Sequence, residues 1–240
     1  MLAAFGRFTQ VPWAHVRWAT EPGESPLFGP ERGCDEFEQR VLRFDGASSD
    51  HSNEAEDEVL YVLSGSADAT IGGEPVALSP GTAAFVACGS SWRIVDADAL
   101  ELLSVLVRDP LPTDGSTHAV VAVDAVESDE ATAGRQFRLL ATPELGCTSV
   151  TQFVGYIPVG RAPDHFHTYD EVVFVLDGEG AVHIDGETAQ VTAGSCIHLP
   201  ARLVHCIENT GPGELQVLDG LRPAGSPAEA YYPDGTKAQY

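Results

Sequence analysis

An all-β fold, laid down twice in tandem, is what this sequence predicts. Short runs rich in β-branched and aromatic residues recur, with turn residues about every 8–12 positions and no 3.6-residue period among them. Sliding the chain against itself by 113 residues aligns 58–96 with 171–209 without a gap. Glu58, Val59, Val62, Leu63, Gly65, Ile71, Gly73, Glu74, Gly81 and Ile94 then meet identical residues. The shared glycines fall at element boundaries, so both copies need the same turns. Upstream, Gly46-x4-His51 repeats Gly160-x4-His165 at an offset one residue larger.

The elements follow in chain order. Residues 1–40 precede the first motif, and Pro12-Trp13, Trp18 and the Pro/Gly-rich stretch 21–33 read as strands and loops packed outside a barrel. The first barrel runs from about 36 to 107, with strands at 41–44, 59–63, 67–71, 83–87 and 100–107, each β-branched, aromatic or alternating. Asp109-Pro-Leu-Pro-Thr-Asp-Gly-Ser is a linker by composition. Residues 120–134 suit a bridging strand and turn, and the second barrel then spans about 137–221. The segment after Pro223, with Tyr231-Tyr232-Pro233, reads as an arm covering a neighbouring surface. The expected domains are therefore 1–112 and 113–240.

The second copy concentrates chemistry. Gly160-x4-His165-Phe166-His167-x3-Glu171-x6-Gly178 is followed downstream of Gly194 by His205-x3-Asn209. His165 and His167 are two apart, so on extended backbone they share a face. Glu171 rejoins that face if Thr168-Tyr169-Asp170 stays near-extended. Val172-Val173-Phe174-Val175-Leu176 behind it has the composition of a buried strand. A divalent metal is the simplest reason to gather three imidazoles and a carboxylate this way; the competing account is a cluster of hydrogen-bonded structural histidines.

These motifs resemble the paired motifs of the cupin superfamily of small β-barrel metalloproteins, and the repeat makes the chain similar to a bicupin. The resemblance implies two tandem jelly-roll barrels (double-stranded β-helices). It also implies that His165, His167, Glu171 and His205 hold one divalent transition metal, while Asn209 supports its strand. The spacing from Gly160 to His165 is one residue shorter than the family's usual form, and Thr192-Ala193 stands where a proline usually precedes Gly194. Both departures touch turns and not ligands. Mn, Fe, Co, Ni, Cu and Zn all accept such donors, so the metal's identity stays open.

In the first copy the corresponding residues are His51, Asn53, Glu58 and, in place of His205, Trp92. An indole offers no lone pair to a metal. This barrel is expected to be scaffold filled by Trp92 and Phe85; a two-ligand site at His51 and Glu58, or a small-molecule cavity, are the alternatives.

Composition bounds the partners. With 240 residues, 43% of them apolar, the chain can bury one large core or two moderate ones. No run reaches the roughly 18 apolar residues of a membrane span, and residues 1–7 lack the apolar stretch of a leader, so a cytoplasmic location is expected. A net charge of −23 opposes nucleic acid and anionic membranes as partners. Cysteines 34, 88, 147, 196 and 206 show no CxxC spacing and read as buried small hydrophobes. Cys206 adjoins His205 and should face the opposite way on a strand.

Three imidazoles and a carboxylate leave a cation about one to three open positions for a substrate oxygen, O2 or water. Among the chemistries that the resemblance implies, dioxygenase-type oxidation of a small hydroxylated or enolisable substrate stands first. Decarboxylation, isomerisation, hydrolysis and non-enzymatic small-molecule binding stand behind it. Tyr169 shares the parity of His165 and His167 and is the candidate catalytic residue, its hydroxyl donating toward the metal site; packing is its other reading. His198 is expected at the surface or an interface, and His183 has no clear facing. Arg138 and Gln152 are candidates for the cavity mouth. A homodimer is a possible arrangement.

Overall fold

The computed structural model describes residues 8–9, 27–30, 33–52, 54–113, 115–184 and 186–238. Pro12, Trp13, Trp18, most of 21–33 and Asn53 lie outside the described residues. Among those described, no helix is long and apolar enough to cross a membrane. Regular structure among the described residues is strand apart from three short 3-10 turns, and the chain forms two compact units.

Strand β1 (Phe8–Thr9) pairs into the unit built from the later copy. The earlier copy comprises β2 (Phe37–Phe44), β3 (His51–Ser52), β4 (Glu56–Ile71), β5 (Glu74–Leu78), β6 (Thr82–Val86), β7 (Ser91–Arg108) and β8 (His118–Ala122). Their sheet runs β2-β7-β4-β6-β8, with β3 on β7 and β5 on β4. The two runs expected at 59–63 and 67–71 join in β4, which bends and shifts register against β7 between Val62 and Ser66. Gly65 sits at the bend with φ +75, and a Cβ there would lie 2.2 Å from the Ala99 carbonyl oxygen, so only glycine fits. Leu42, Phe44, Leu60, Val62, Ile71, Trp92, Ile94 and Leu102 fill the interior.

The later copy comprises β9 (Asp129–Glu130), β10 (Gln136–Ala141), β11 (Thr151–Ile157), β12 (Gly160–Arg161), β13 (Asp170–Asp177), β14 (Glu179–Ile184), β15 (Glu187–Thr192), β16 (Cys196–Leu199), β17 (His205–Asn209) and β18 (Leu215–Arg222). Two sheets result, β1-β16-β13-β18-β11-β10-β9 and β12-β17-β14-β15. Inward-facing Val173, Val175, Val182, Ile184, Ile197, Leu199, Leu215 and Val217 form its core. Both halves therefore pack alternating strand faces inward, as a jelly roll requires.

The sequence divides its two copies at 112/113, and strand pairing groups the chain as follows. Residues 27–126 and Leu140–Val150 form one unit; Glu127–Leu139, 151–238 and Phe8–Thr9 form the other. The reason is edge protection: β8 hydrogen-bonds along the whole of β6, and β1 covers β16, so each segment closes a strand edge that would otherwise be open.

Candidate metal centre

Residues 163–169 bring the paired histidines inward. His165 and His205 exchange backbone hydrogen bonds, His165 N to His205 O at 3.0 Å and His205 N to His165 O at 2.8 Å, which fixes the two short segments to each other. Phe166 points to the opposite face and stacks on Tyr231 with ring centroids 5.6 Å apart. The alternation expected of the HxH segment is thus present. The coordinating atoms of His165, His167 and His205 lie within 4.8 Å of one another. Glu171, from the start of β13, places Oε1 3.4 Å from His167 Nε2 and Oε2 4.0 Å from His205 Nε2. All four side chains are buried.

The hydrogen bonds decide which nitrogen each ring presents. His165 Nδ1 meets the Pro163 carbonyl at 2.9 Å, His167 Nδ1 the Glu229 carbonyl at 2.6 Å, and His205 Nδ1 the Leu203 carbonyl at 2.9 Å. A carbonyl only accepts, so each Nδ1 carries the proton and each Nε2 keeps its lone pair. Three such lone pairs converge on one point next to a carboxyl. Backbone-anchored imidazoles of this kind are the usual support of a metal ligand.

Electrostatics agrees. Burial pushes His165 and His167 down to about 4 and His205 well below the ordinary range, with neighbouring rings adding to the effect at His165 and His205 and the Arg135 guanidinium adding to it at all three. Burial raises Glu171 to about 8 against the opposing pull of the Arg135 guanidinium. The centre therefore holds neutral rings and an acid ready to ionise when a cation arrives. The donor set fits a divalent transition metal.

Tyr169 stacks flat on His167, with ring centroids 4.9 Å apart, and its hydroxyl lies 2.9 Å from Nδ1, the nitrogen that faces away from the convergence point. The same hydroxyl donates to the Ser226 carbonyl at 3.0 Å. Ser226 and Glu229 belong to the segment after β18, which folds back over its own barrel: Phe166 N donates to Tyr231 O, and Tyr231 N to Phe166 O. The arm expected to cover a neighbouring surface thus walls this cavity, with Pro227 and Ala230 in the lining.

At the matching position of the earlier copy, the protein supplies its own cation. Glu58 accepts from Trp92 Nε1 at 2.7 Å, from Arg40 Nη2 at 3.2 Å and from Ser104 Oγ. His51 stacks on Trp92 at 4.1 Å. A guanidinium and an indole occupy the space a metal would need.

A family model described as the cupin domain matches residues 42–106 and 152–220, one region in each copy and together more than half the chain. The chain belongs to the cupin family. Among curated relatives of this cupin, polyketide synthase CurC of Streptomyces cyaneus is 32% identical over 108 residues, covering 43% of this chain and 69% of that protein. The match to an uncharacterized Methanocaldococcus jannaschii protein is 36% identical over 64 residues and covers about half of it, 51%, and 26% of this chain. Among solved structures, the E. coli protein Ylba superposes with a TM-score of 0.73 at 19% identity, covering 90% of this cupin and 91% of that chain. A variant of Bacillus subtilis oxalate decarboxylase OxdC gives a TM-score of 0.65 at 15% identity, covering 82% and 72%. At such identities these structures speak for the fold.

Two residues at the cupin's cavity are not among those expected there from sequence. Asp219 lines the cavity from β18, and Arg135 lines it from the turn before β10. Asp219 had a legible signal: Leu215, Val217, Asp219 and Leu221 share one strand face, so an acid interrupts an apolar register. Arg135 had none, because its turn has no period. Arg138 and Gln152, expected at the mouth, do not line the cavity; Arg138 lies over the Tyr156 ring instead. His198 is buried beside Asp170 at 3.4 Å, where a surface or interface position is expected from sequence. His183 pairs with Glu208 at 2.7 Å. Asn209 donates to the Ile157 and Gly213 carbonyls, both at 2.8 Å, and accepts from Gly211 N, so it braces a turn. Cys206 turns away from His205 and donates to the Ala162 carbonyl.

Proposed function

We propose that this cupin is a metal-dependent enzyme of the dioxygenase type, acting on a small, conjugated, hydroxylated or enolisable organic molecule. The observation that carries the reading is the convergence of three lone-pair-bearing Nε2 atoms and Glu171 on a cavity that has both polar and aromatic walls. His165, His167, His205 and Glu171 would hold the cation. Once bound, it would supply Lewis acidity toward substrate oxygens and a redox partner for O2.

The chain's own groups do the rest. Phe137 and Phe153, edge to face at 6.0 Å, offer a wall suited to a planar ring. Arg135, fixed by its hydrogen bond to the Ile207 carbonyl at 2.6 Å, puts positive charge at the cavity and favours an enolate or phenolate over a neutral molecule. That local cation works against the repulsion an anion meets from the net charge of −23. Tyr169 holds His167 in orientation and does not face the reacting atoms. The polyketide synthase named among the relatives supports a substrate of polyketide character, rich in such enolisable oxygens.

Oxygen consumption tests the reading. Protein reconstituted separately with Mn, Fe, Ni and Cu is expected to take up O2 with at least one of catechols, flavonols or β-diketones. His167→Ala should abolish that uptake, while Tyr169→Phe should retain it and lose about 10–100-fold in metal affinity. Absence of O2 uptake with every metal and every substrate class would overturn the proposal in favour of another cupin chemistry or simple binding.

A further inference from the structure

We propose that Gly155 is the specificity-determining residue of this site: its bare backbone seats a planar ring carried beside the substrate's chelating oxygens. The proposal rests on the substrate class inferred above and narrows it to ring-bearing molecules. Gly155 lies inside β11 and is buried, and it lines the same cavity as the three histidines and Glu171. Its φ is outside the left-handed region, so the backbone there does not require glycine. A glycine inside a strand weakens the strand, and one use that offsets this is close approach of a ligand.

The internal repeat shows what the missing side chain removes. Val62 and Val175 are repeat partners, and they register against Leu102 and Val217 respectively. Leu42 pairs with Leu102 as Gly155 pairs with Val217, so Leu42 and Gly155 hold equivalent places. Leu42 and Leu102 are buried and help to close the interior of the earlier barrel. The later barrel loses the whole of one of these side chains and shortens the other.

The surroundings of Gly155 suit a flat ring. A Cβ placed on it would lie 3.0 Å from Val217 Cγ2 and 3.3 Å from Phe153 Cε2, both tighter than ordinary contact. Any side chain there has to push Phe153 or Val217 aside or stand in the cavity. Phe137 also lines the cavity and meets Phe153 edge to face, so the space beside Gly155 has an aromatic wall. A ring packed on that wall gains apolar burial and aromatic contact that a methyl group does not. A purely structural glycine, present only to make room for Phe153, predicts no change in ring preference when it is replaced.

The test compares benzohydroxamate with acetohydroxamate by titration calorimetry, on the full chain loaded with redox-inert Zn(II). Both probes chelate through the same two oxygens and differ only in phenyl against methyl, so their affinity ratio reports the ring seat and cancels the metal. Wild-type protein is expected to prefer benzohydroxamate by at least about tenfold. Gly155→Ala should lower that ratio, and Gly155→Val should abolish or reverse it, with acetohydroxamate affinity held within about twofold at equal zinc content. Val217→Leu, which rebuilds the other residue of the earlier copy's pair, should lower the ratio as well. An unchanged ratio in the variants would overturn the proposal. Loss of acetohydroxamate binding by folded, zinc-loaded Gly155 variants would overturn it too, by showing that the glycine supports the centre as a whole. If the Gly155 variants do not fold, Val217→Leu decides alone: a lowered ratio supports the seat and an unchanged one overturns it. A wild type without ring preference would overturn this proposal only, since O2 uptake with β-diketones, which need no ring, still judges the reading above.

Discussion

The two copies solve one problem in opposite ways. Each barrel carries a glutamate at the same strand position, Glu58 and Glu171, buried to 1% and 5% exposure. In the earlier copy Arg40, Trp92 and Ser104 satisfy that carboxylate, and the site is complete as folded. In the later copy neutral histidines surround the carboxyl, and burial raises its proton affinity against the pull of Arg135. A duplicated fold has become one self-neutralised barrel and one that waits for an outside charge. The difference rests on a few side chains rather than on the backbone.

Metal content breaks or sharpens this comparison most directly. His167→Ala should abolish metal uptake, whereas Trp92→Ala should leave it intact; elemental analysis of the two purified variants decides, and equal losses would refute the division of labour. Stability gives the next largest contrast. Glu58→Gln strips the buried Arg40 guanidinium of its carboxylate and should cost about 3 kcal/mol. Glu171→Gln in metal-free protein at pH 7 should change stability by less than about 1 kcal/mol, because an amide resembles the protonated acid that stands there. Urea titrations of both variants would read the contrast, and equal costs would sink it. The smallest effect is a pH slope. A cation must displace the proton of Glu171, whose affinity is raised to about 8, so metal binding should tighten by about tenfold per pH unit up to that point and then level off. Below about 4 the slope should steepen as His165 and His167 take up protons. Competition titrations across that range check both breaks.

Much of this was legible in the chain. Period-2 alternation and the 113-residue repeat gave the all-β pair, because a strand's facing is written residue by residue. The His165, His167, Glu171 and His205 grouping was legible for the same reason. The pairing of β8 and β1 was not, since both join strands far away in sequence, and nothing local to 118–122 says which edge it will cover. Arg40 was hidden too: a lone arginine in an apolar run discloses its partner only once β2 and β4 are folded around it. The backbone carbonyls that orient the three histidines carry no residue identity at all, so no reading of side chains could find them.

One of those carbonyls has an outcome of its own. The oxygen that orients His167 belongs to Glu229, well beyond the last barrel strand. A protease nick between 223 and 229 would leave every coordinating side chain untouched and still slacken the ion's hold. Loss of metal affinity on such a nick, with the four side chains intact, is the expected outcome, read by elemental analysis of the cleaved protein.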